Sequence, residues 1–412
     1  MHRLVYLCDW LPPDFGAVGQ YSLLFARERA SGGEDVVLGG LASGPGSIEE
    51  ERPGSGRLRI VRVQAPVYDK GNLKARALWT LRTNTRLLWQ LRRALAEADE
   101  ILFTGSPPFL LHFLAPLNAL LGRELTYRIT DFHPECLMAE LGRVPPALEA
   151  FYRLTLALRK RVSTFEVLGK DQRTRLLEIG IEPERIRLKR DPSPVSLAPD
   201  LEPLPLPPAL AGKKVLLYSG NFGVAHDHET FLAGYRLHHR QGSGRVALWL
   251  NATGKKADQV EQALRAEGLP VHRSQPVALA LLPRLLMTPD AHLITLRDEF
   301  VGFVLPSKVY GCRESGRPVL YVGSERSDVA LLLREALAPE AYHRASVGDG
   351  PAVARALEAI AEEPPLGGAG GVRGSAAETA ASTVFVDTRV KDSQKGCNSA
   401  LGPAPARPGE GE

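Results

Sequence analysis

The chain alternates short apolar runs with amphipathic stretches, twice over, on either side of a proline-rich segment. Residues 4–8, 36–38, 58–63, 100–104, 125–129 and 163–168 are apolar runs of strand length, and between most of them lie segments with helical apolar spacing. The spacing predicts helices over 20–30, stopped by Gly32-Gly33, and over 73–98, 107–121, 147–160 and 171–178. Buried strands joined by helices are the signature of a parallel sheet covered on both faces. Residues 191–211 hold seven prolines and read as a linker. After it the pattern restarts, with strands expected at 213–219, 245–251, 271–273, 291–296 and 318–322, and helices at 227–239 and 256–267. The expectation is an α/β chain of two facing Rossmann-like domains: 1–190, the linker 191–211, and 212–362. A low-complexity tail over 363–412, rich in Gly, Ala, Pro and Ser, is expected to be disordered. Ligands of open parallel sheets bind beyond the carboxyl ends of the strands, so both sets of strand-end loops should line a cleft.

Composition narrows the partners. A net charge of +4 on 412 residues gives no argument for nucleic acid. Cys8, Cys136, Cys312 and Cys397 are widely spaced without a CxxC pair, which points to neither zinc nor a disulfide framework and suits a reducing compartment. The first three read as small buried hydrophobes; Cys397 falls in the polar tail. The most apolar stretch, 109–121, is interrupted by His112, Pro116 and Asn118 and is too short to span a bilayer. The expected setting is the cytoplasm, with peripheral contact at the inner face of the membrane as an open option.

Three loops could carry chemistry. Gly16 and Gly19, between the first strand and its helix, fit either a backbone approaching a ligand or a turn of unusual geometry. Gly220, Asn221 and Gly223 open the second half in the same manner; His226, if protonated, would add charge for a diphosphate, and Asp227 is placed to cap the next helix. The third segment, 290–323, delivers Arg297, Asp298 and Glu299 at a strand end. It then starts a short helix at Pro306-Ser307-Lys308, where amide groups and a lysine would face the cleft and stabilise a departing diphosphate. The competing reading of Lys308 is a solvated capping lysine.

Residues 290–323 (DAHLITLRDEFVGFVLPSKVYGCRESGRPVLYVG) resemble the donor-binding segment of family 4-like glycosyltransferases of the GT-B fold, in the exopolysaccharide and capsule branch. Residues 218–230 (YSGNFGVAHDHET), Ser106-Pro107-Pro108 and Asp131-Phe132-His133-Pro134-Glu135 resemble further loops of that branch, and the likeness runs over roughly residues 4–360. It implies transfer of a sugar from a nucleotide diphosphate with retention, without a metal or other cofactor, in cell-envelope polysaccharide synthesis. It also implies that Ser307, Lys308, Tyr310, Gly220, Asn221, Gly223, His226 and Arg297 hold the donor, and that Asp131, His133 and Glu299 lie at the reacting centre. Two departures stand out. The family's paired glutamates are replaced by Phe303 and Gly311, and Asn221 and His226 stand where the wider family has Arg and Lys.

Other readings stay open. A sugar-nucleotide epimerase uses the same architecture, a non-catalytic nucleotide-sugar-binding subunit would tolerate the missing glutamates, and the acceptor could be a glycan, a lipid-linked sugar or a small natural product. A dehydrogenase is disfavoured by the absence of dinucleotide glycine spacing. Residues 74–93, basic and bearing Trp79 and Trp89, fit either a helix packing its apolar face on the core or one that contacts an anionic membrane surface. Residues 185–190 read as a charged edge strand.

Overall fold

The computed structural model describes residues 1–14, 16–66, 73–193, 195–198 and 201–364. The expected disordered tail and Cys397 lie outside them, apart from Glu363 and Pro364. In the first half, β1 (Arg3–Trp10), α1 (Ala17–Ser31), β2 (Asp35–Ala42), β3 (Ser47–Glu51), β4 (Arg57–Gln64), α2 (Leu73–Glu97) and β5 (Glu100–Thr104) follow one another. Then come α3 (Leu111–Leu121), β6 (Glu124–Ile129), α4 (Glu135–Leu141), α5 (Pro146–Arg159), β7 (Thr164–Val167), α6 (Lys170–Glu178) and β8 (Ile186–Leu188). These strands form an eight-stranded sheet in the order β3-β4-β2-β1-β5-β6-β7-β8, parallel throughout except for β3.

The second half contains β9 (Lys214–Asn221), α7 (Glu229–Gln241), β10 (Val246–Thr253), α8 (Lys255–Ala266), β11 (Val271–Ser274), α9 (Leu282–Leu286) and β12 (Ala291–Thr295). It ends with α10 (Lys308–Glu314), β13 (Val319–Val322), α11 (Asp328–Ala336), β14 (Tyr342–Ala345) and α12 (Gly350–Glu362). Its six-stranded sheet, β11-β10-β9-β12-β13-β14, is wholly parallel. Leu102, Ile101, Leu248, Leu293 and their neighbours are sealed between sheet and helices, as continuous apolar strands require.

Three local expectations change. The helix expected from Pro107 begins at Leu111, because a proline at 108 disfavours helical backbone at 107. The chain turns there instead, with Phe109 at φ +65° and the Pro108 carbonyl accepting a hydrogen bond from Asn84 Nδ2. The edge strand β3, with sequence SIEEE, pairs antiparallel with β4 and lacks the apolar run that marks the other strands. The third change is at α4, which occupies the end of the loop expected at 130–135 and the residues after it.

Strand order reverses between β1 and β5 in one lobe and between β9 and β12 in the other. Loops beyond the carboxyl ends of the two sheets meet. Asp131 forms a β-bridge with Val304, and Phe132 N–H donates to the Phe303 carbonyl at 3.0 Å. Further along, α6 and α11 exchange caps. Asp328 Oδ2 accepts the Asp171 N–H at 2.9 Å, Asp171 Oδ2 accepts the Asp328 N–H at 3.0 Å, and Arg190 Nη2 donates to Asp328 Oδ1 at 2.9 Å. Arg190, expected on an exposed strand face, thus spans the two lobes, while Lys189 reaches Glu166 at 3.7 Å.

Candidate functional site

The second lobe places its cations at the β9/β12 reversal. Gly220 ends β9 with φ +112°, a backbone state that favours glycine, and a Cβ added there would lie 3.9 Å from Lys308 Cε. Lys308 opens α10 with its stem part-exposed, but its ammonium nitrogen is buried without a hydrogen-bond partner among the described residues. The nitrogen sits 3.3 Å from the centroid of the Tyr218 ring. Burial pulls its pKa down to about 7. A solvated capping lysine is therefore not what the fold builds. A buried, unpaired ammonium is costly unless an anion joins it.

His226 is corrected. Its Nδ1 lies 2.6 Å from the Thr295 carbonyl, and burial, with Lys308 and Lys256 nearby, lowers its pKa to about 3. The ring is neutral at physiological pH and adds no charge. Asp227 does cap, accepting the Thr230 N–H and hydroxyl at 2.9 Å each. Lys256, which the sequence reading missed, supplies the second cation: it is the second residue of α8, two after Gly254, and reaches His228 Nδ1 at 3.2 Å. Arg297 acts on both Lys256 and His228, so these groups share one region. The signal was present in residues 251–256 (NATGKK), where a strand end, a glycine and lysines coincide.

Glu299 is exposed and pairs with Arg297 at 3.4 Å. Ser307 precedes α10 with helical backbone and no side-chain cap. Gly223 lies beside Asn221, where a Cβ would meet Asn221 Nδ2 at 3.3 Å. Tyr310 is buried on the side of α10 that faces the first lobe, since Asp191, Arg190 and Arg128 act on its hydroxyl. Phe303 packs against the first lobe's core and the Arg175 guanidinium. At Gly311 a Cβ would sit 2.8 Å from Leu286 Cδ1. Neither place is shaped for a carboxylate.

Opposite these cations the first lobe brings acids. Asp9 ends near the β1/β5 reversal and Asp131 follows β6; both are half-buried, and loss of solvent raises each pKa to about 6, with Asp9 adding to the rise at Asp131. His133 lies half-buried close by with its pKa lowered to about 4, mainly by desolvation, and its ring meets Phe109 edge-on at 5.9 Å. Behind it Glu135 and Arg159 form a buried ion pair, and Arg159 Nη2 donates to the His133 carbonyl at 3.1 Å. Gly19 has a packing role: a Cβ there would fall 1.8 Å from the Trp10 carbonyl oxygen, so glycine lets α1 lie on β1. Gly16 has φ −173°, open to any residue. Neither glycine is tied to a ligand by this geometry.

Sucrose-phosphate synthase from Thermosynechococcus elongatus superposes with a TM-score of 0.62 at 12% identity, covering 87% of this chain and 90% of that one. An E. coli trehalose-6-phosphate protein bound with UDP-2-fluoro glucose gives 0.59 at 14% identity, over 88% and 92%. Anabaena HepE in complex with UDP and glucose gives 0.57 at 13% identity, over 88% and 90%.

The chain has the GT-B fold.

At the sequence level this GT-B chain is 25% identical over 257 residues to a probable glycosyltransferase, WbjE, of Pseudomonas aeruginosa. The match takes in 58% of this chain and spans 61% of the length of that curated relative. No family model matches. The expected likeness to GT-B glycosyltransferases thus holds in fold and in a distant relative. Among the described residues no cluster of His, Cys, Asp and Glu is arranged to hold a metal ion, and no helix is long and apolar enough to cross a membrane.

Proposed function

We propose that the protein is a glycosyltransferase that takes a sugar from a nucleotide diphosphate and passes it to a hydroxyl acceptor between the two lobes. The buried, unpartnered ammonium of Lys308 beside Gly220 carries this reading. A diphosphate laid against Gly220 and Asn221 would pair with Lys308, with Lys256 and Arg297 in the same region. The negative charge that grows on the leaving group would meet cations already desolvated and in place. The neutral His226, bonded through Nδ1 to Thr295, holds the β9 and β12 loops together beneath it. Asp131, with its raised pKa, and His133 face the reaction from the acceptor side, where a carboxylate poised near 6 can take the acceptor proton.

The absent carboxylates at Phe303 and Gly311 leave ribose recognition to other groups, and Glu299 at the loop rim is the nearest acid on that segment. Retention at the anomeric carbon, a metal-free reaction and a glycan or lipid-linked acceptor in envelope polysaccharide synthesis complete the proposal. The UDP-containing neighbours of the same fold support a nucleotide-sugar donor.

The test is Lys308→Met with a panel of nucleotide sugars. Turnover should fall by about 10²–10³-fold, the usual cost of removing one preorganised charge from the transition state. Thermal stabilisation by nucleoside diphosphate should shrink with it. An unchanged kcat/KM removes Lys308 from the donor site. Nucleotide binding without transfer to any acceptor would instead assign a non-catalytic binding subunit.

A further inference from the structure

The helix α2 divides its apolar residues between two faces. Trp79, Leu87, Leu91 and Leu95 are buried, and Trp79 Nε1 donates to the Pro66 carbonyl at 2.7 Å. Leu78, Leu81 and Trp89 lie on the opposite side, with Leu81 54% and Trp89 64% exposed. Spacings of three, four and seven put Leu78, Leu81, Arg82, Thr85, Trp89 and Arg92 on one stripe. A helix that only packed on the core would not also carry a tryptophan and two leucines on its outer face.

The charge on that face is of one sign. From Leu73 to Ala96 there is no acidic residue. Arg82, Arg86 and Arg93 have no acidic partner among the described residues, and Arg92 lies 4.4 Å over the Trp89 ring. The surface continues past the helix. Arg86 and Gln90 line an open groove of about 260 Å³ together with Ser47, Ile48, Val63 and Gln64. Ile48 is 68% exposed on the edge strand β3, and its neighbours Glu49, Glu50 and Glu51 are engaged by Arg62, Arg59 and Arg27. Exposed apolar side chains set among unpaired arginines match the boundary of an anionic bilayer, where rings and leucines enter the acyl edge and guanidinium groups meet phosphates.

We propose that the outer face of α2, extended by Ile48 of β3, seats the protein on an anionic lipid surface. The same helix reaches the acceptor side of the GT-B cleft. Asn84 holds the Pro108 carbonyl at 3.1 Å, and Arg76 contributes to the environment of His133. The seating itself does not depend on the chemistry proposed for the cleft.

Vesicle sedimentation of the full chain tests this with phosphatidylcholine alone and with phosphatidylglycerol added. Binding should require phosphatidylglycerol and fall with salt as screening shortens. Arg82→Glu with Arg86→Glu should weaken it roughly tenfold or more, since each arginine contributes to surface attraction. Leu81→Ser with Trp89→Ser should weaken it without altering its salt dependence. Tryptophan emission should shift to the blue on vesicles in the wild type and lose that shift in Trp89→Phe. All variants should keep the nucleoside diphosphate stabilisation of the wild type, which separates this surface from the cleft. Failure to bind anionic vesicles, undiminished binding by the Arg82/Arg86 double variant, or binding to an RNA oligonucleotide in place of vesicles would overturn the proposal.

Discussion

The two lobes share a fold and differ in what they place at the same topological position. Where strand order reverses in the first lobe, between β1 and β5, the nearby titratable groups include Asp9 and, after β6, Asp131, half-buried acids with raised pKa. Where it reverses in the second, between β9 and β12, they include the cations Lys308, Lys256 and Arg297, with His226 kept neutral among them and Glu299 paired to Arg297. Burial acts on both sets in the same sense, against charge. It raises the acids and lowers the lysine, so opposite residue types converge on pKa values near neutrality. One sheet is thereby suited to accept a proton and the other to accept an anion. A fold that supplies two reversal points can divide the labour of group transfer between them.

That contrast breaks most visibly at Asp131. Asp131→Asn should lower kcat by about 10²-fold, the scale of a lost general base. It should also raise Tm at pH 7.5. The folded pKa of about 6 stands above the ordinary value of 3.8, so this carboxyl favours the fold below 3.8 and loses that contribution as pH rises to 6. Above 6 the partly desolvated charge is a cost, which an amide removes. An unchanged kcat would remove Asp131 from the reaction and leave it only its backbone bridge to Val304.

The second lobe should titrate in the opposite direction. Free Lys308, with a pKa of about 7 against the usual 10.5, binds fewer protons folded than unfolded between those values. Its contribution to stability therefore rises with pH across that window. Nucleoside diphosphate needs the charged form, so Kd should increase by at most about tenfold per pH unit above 7, and the slope should vanish in Lys308→Met. Calorimetric titration from pH 6 to 9 reads this directly. A flat profile in the wild type would mean that the amine is charged throughout and paired by a group outside the described residues.

The smallest effect on the cleft should come where the lobes exchange caps. Asp328→Ala removes the acceptor for the Asp171 N–H and the partner of Arg190, and should cost about 1–3 kcal/mol of stability in urea denaturation. Donor affinity should change less than twofold. A large loss of affinity would show that the cap exchange, rather than the reversal points, sets the spacing of acids and cations.

Much of the architecture was legible because apolar runs of four to eight residues bounded by glycine, proline and polar turns leave few alternatives to parallel strands. The strand over 100–104 emerges with those bounds. The charged edge β3 and the half-buried β14 were not legible, since their pairing rather than their own composition makes them strands. In the candidate site, Gly220 and Lys308 come from two segments that read as a strand end, glycine or proline and helix, and the fold sets them side by side. The sequence pattern could not show that Gly19 serves helix packing, that His226 is spent on a carbonyl, or that Lys256 joins from a third strand end.

What the order of residues determined by itself is the alternation of strands and helices, and a lysine at the start of a helix near a strand end. Tertiary structure decided protonation and direction: which groups lose water, which carbonyl a histidine meets, and which tryptophan of α2 turns inward. The reason is physical. Periodicity is encoded locally, residue against residue along the chain, whereas desolvation and charge pairing depend on atoms that only the folded sheets bring together.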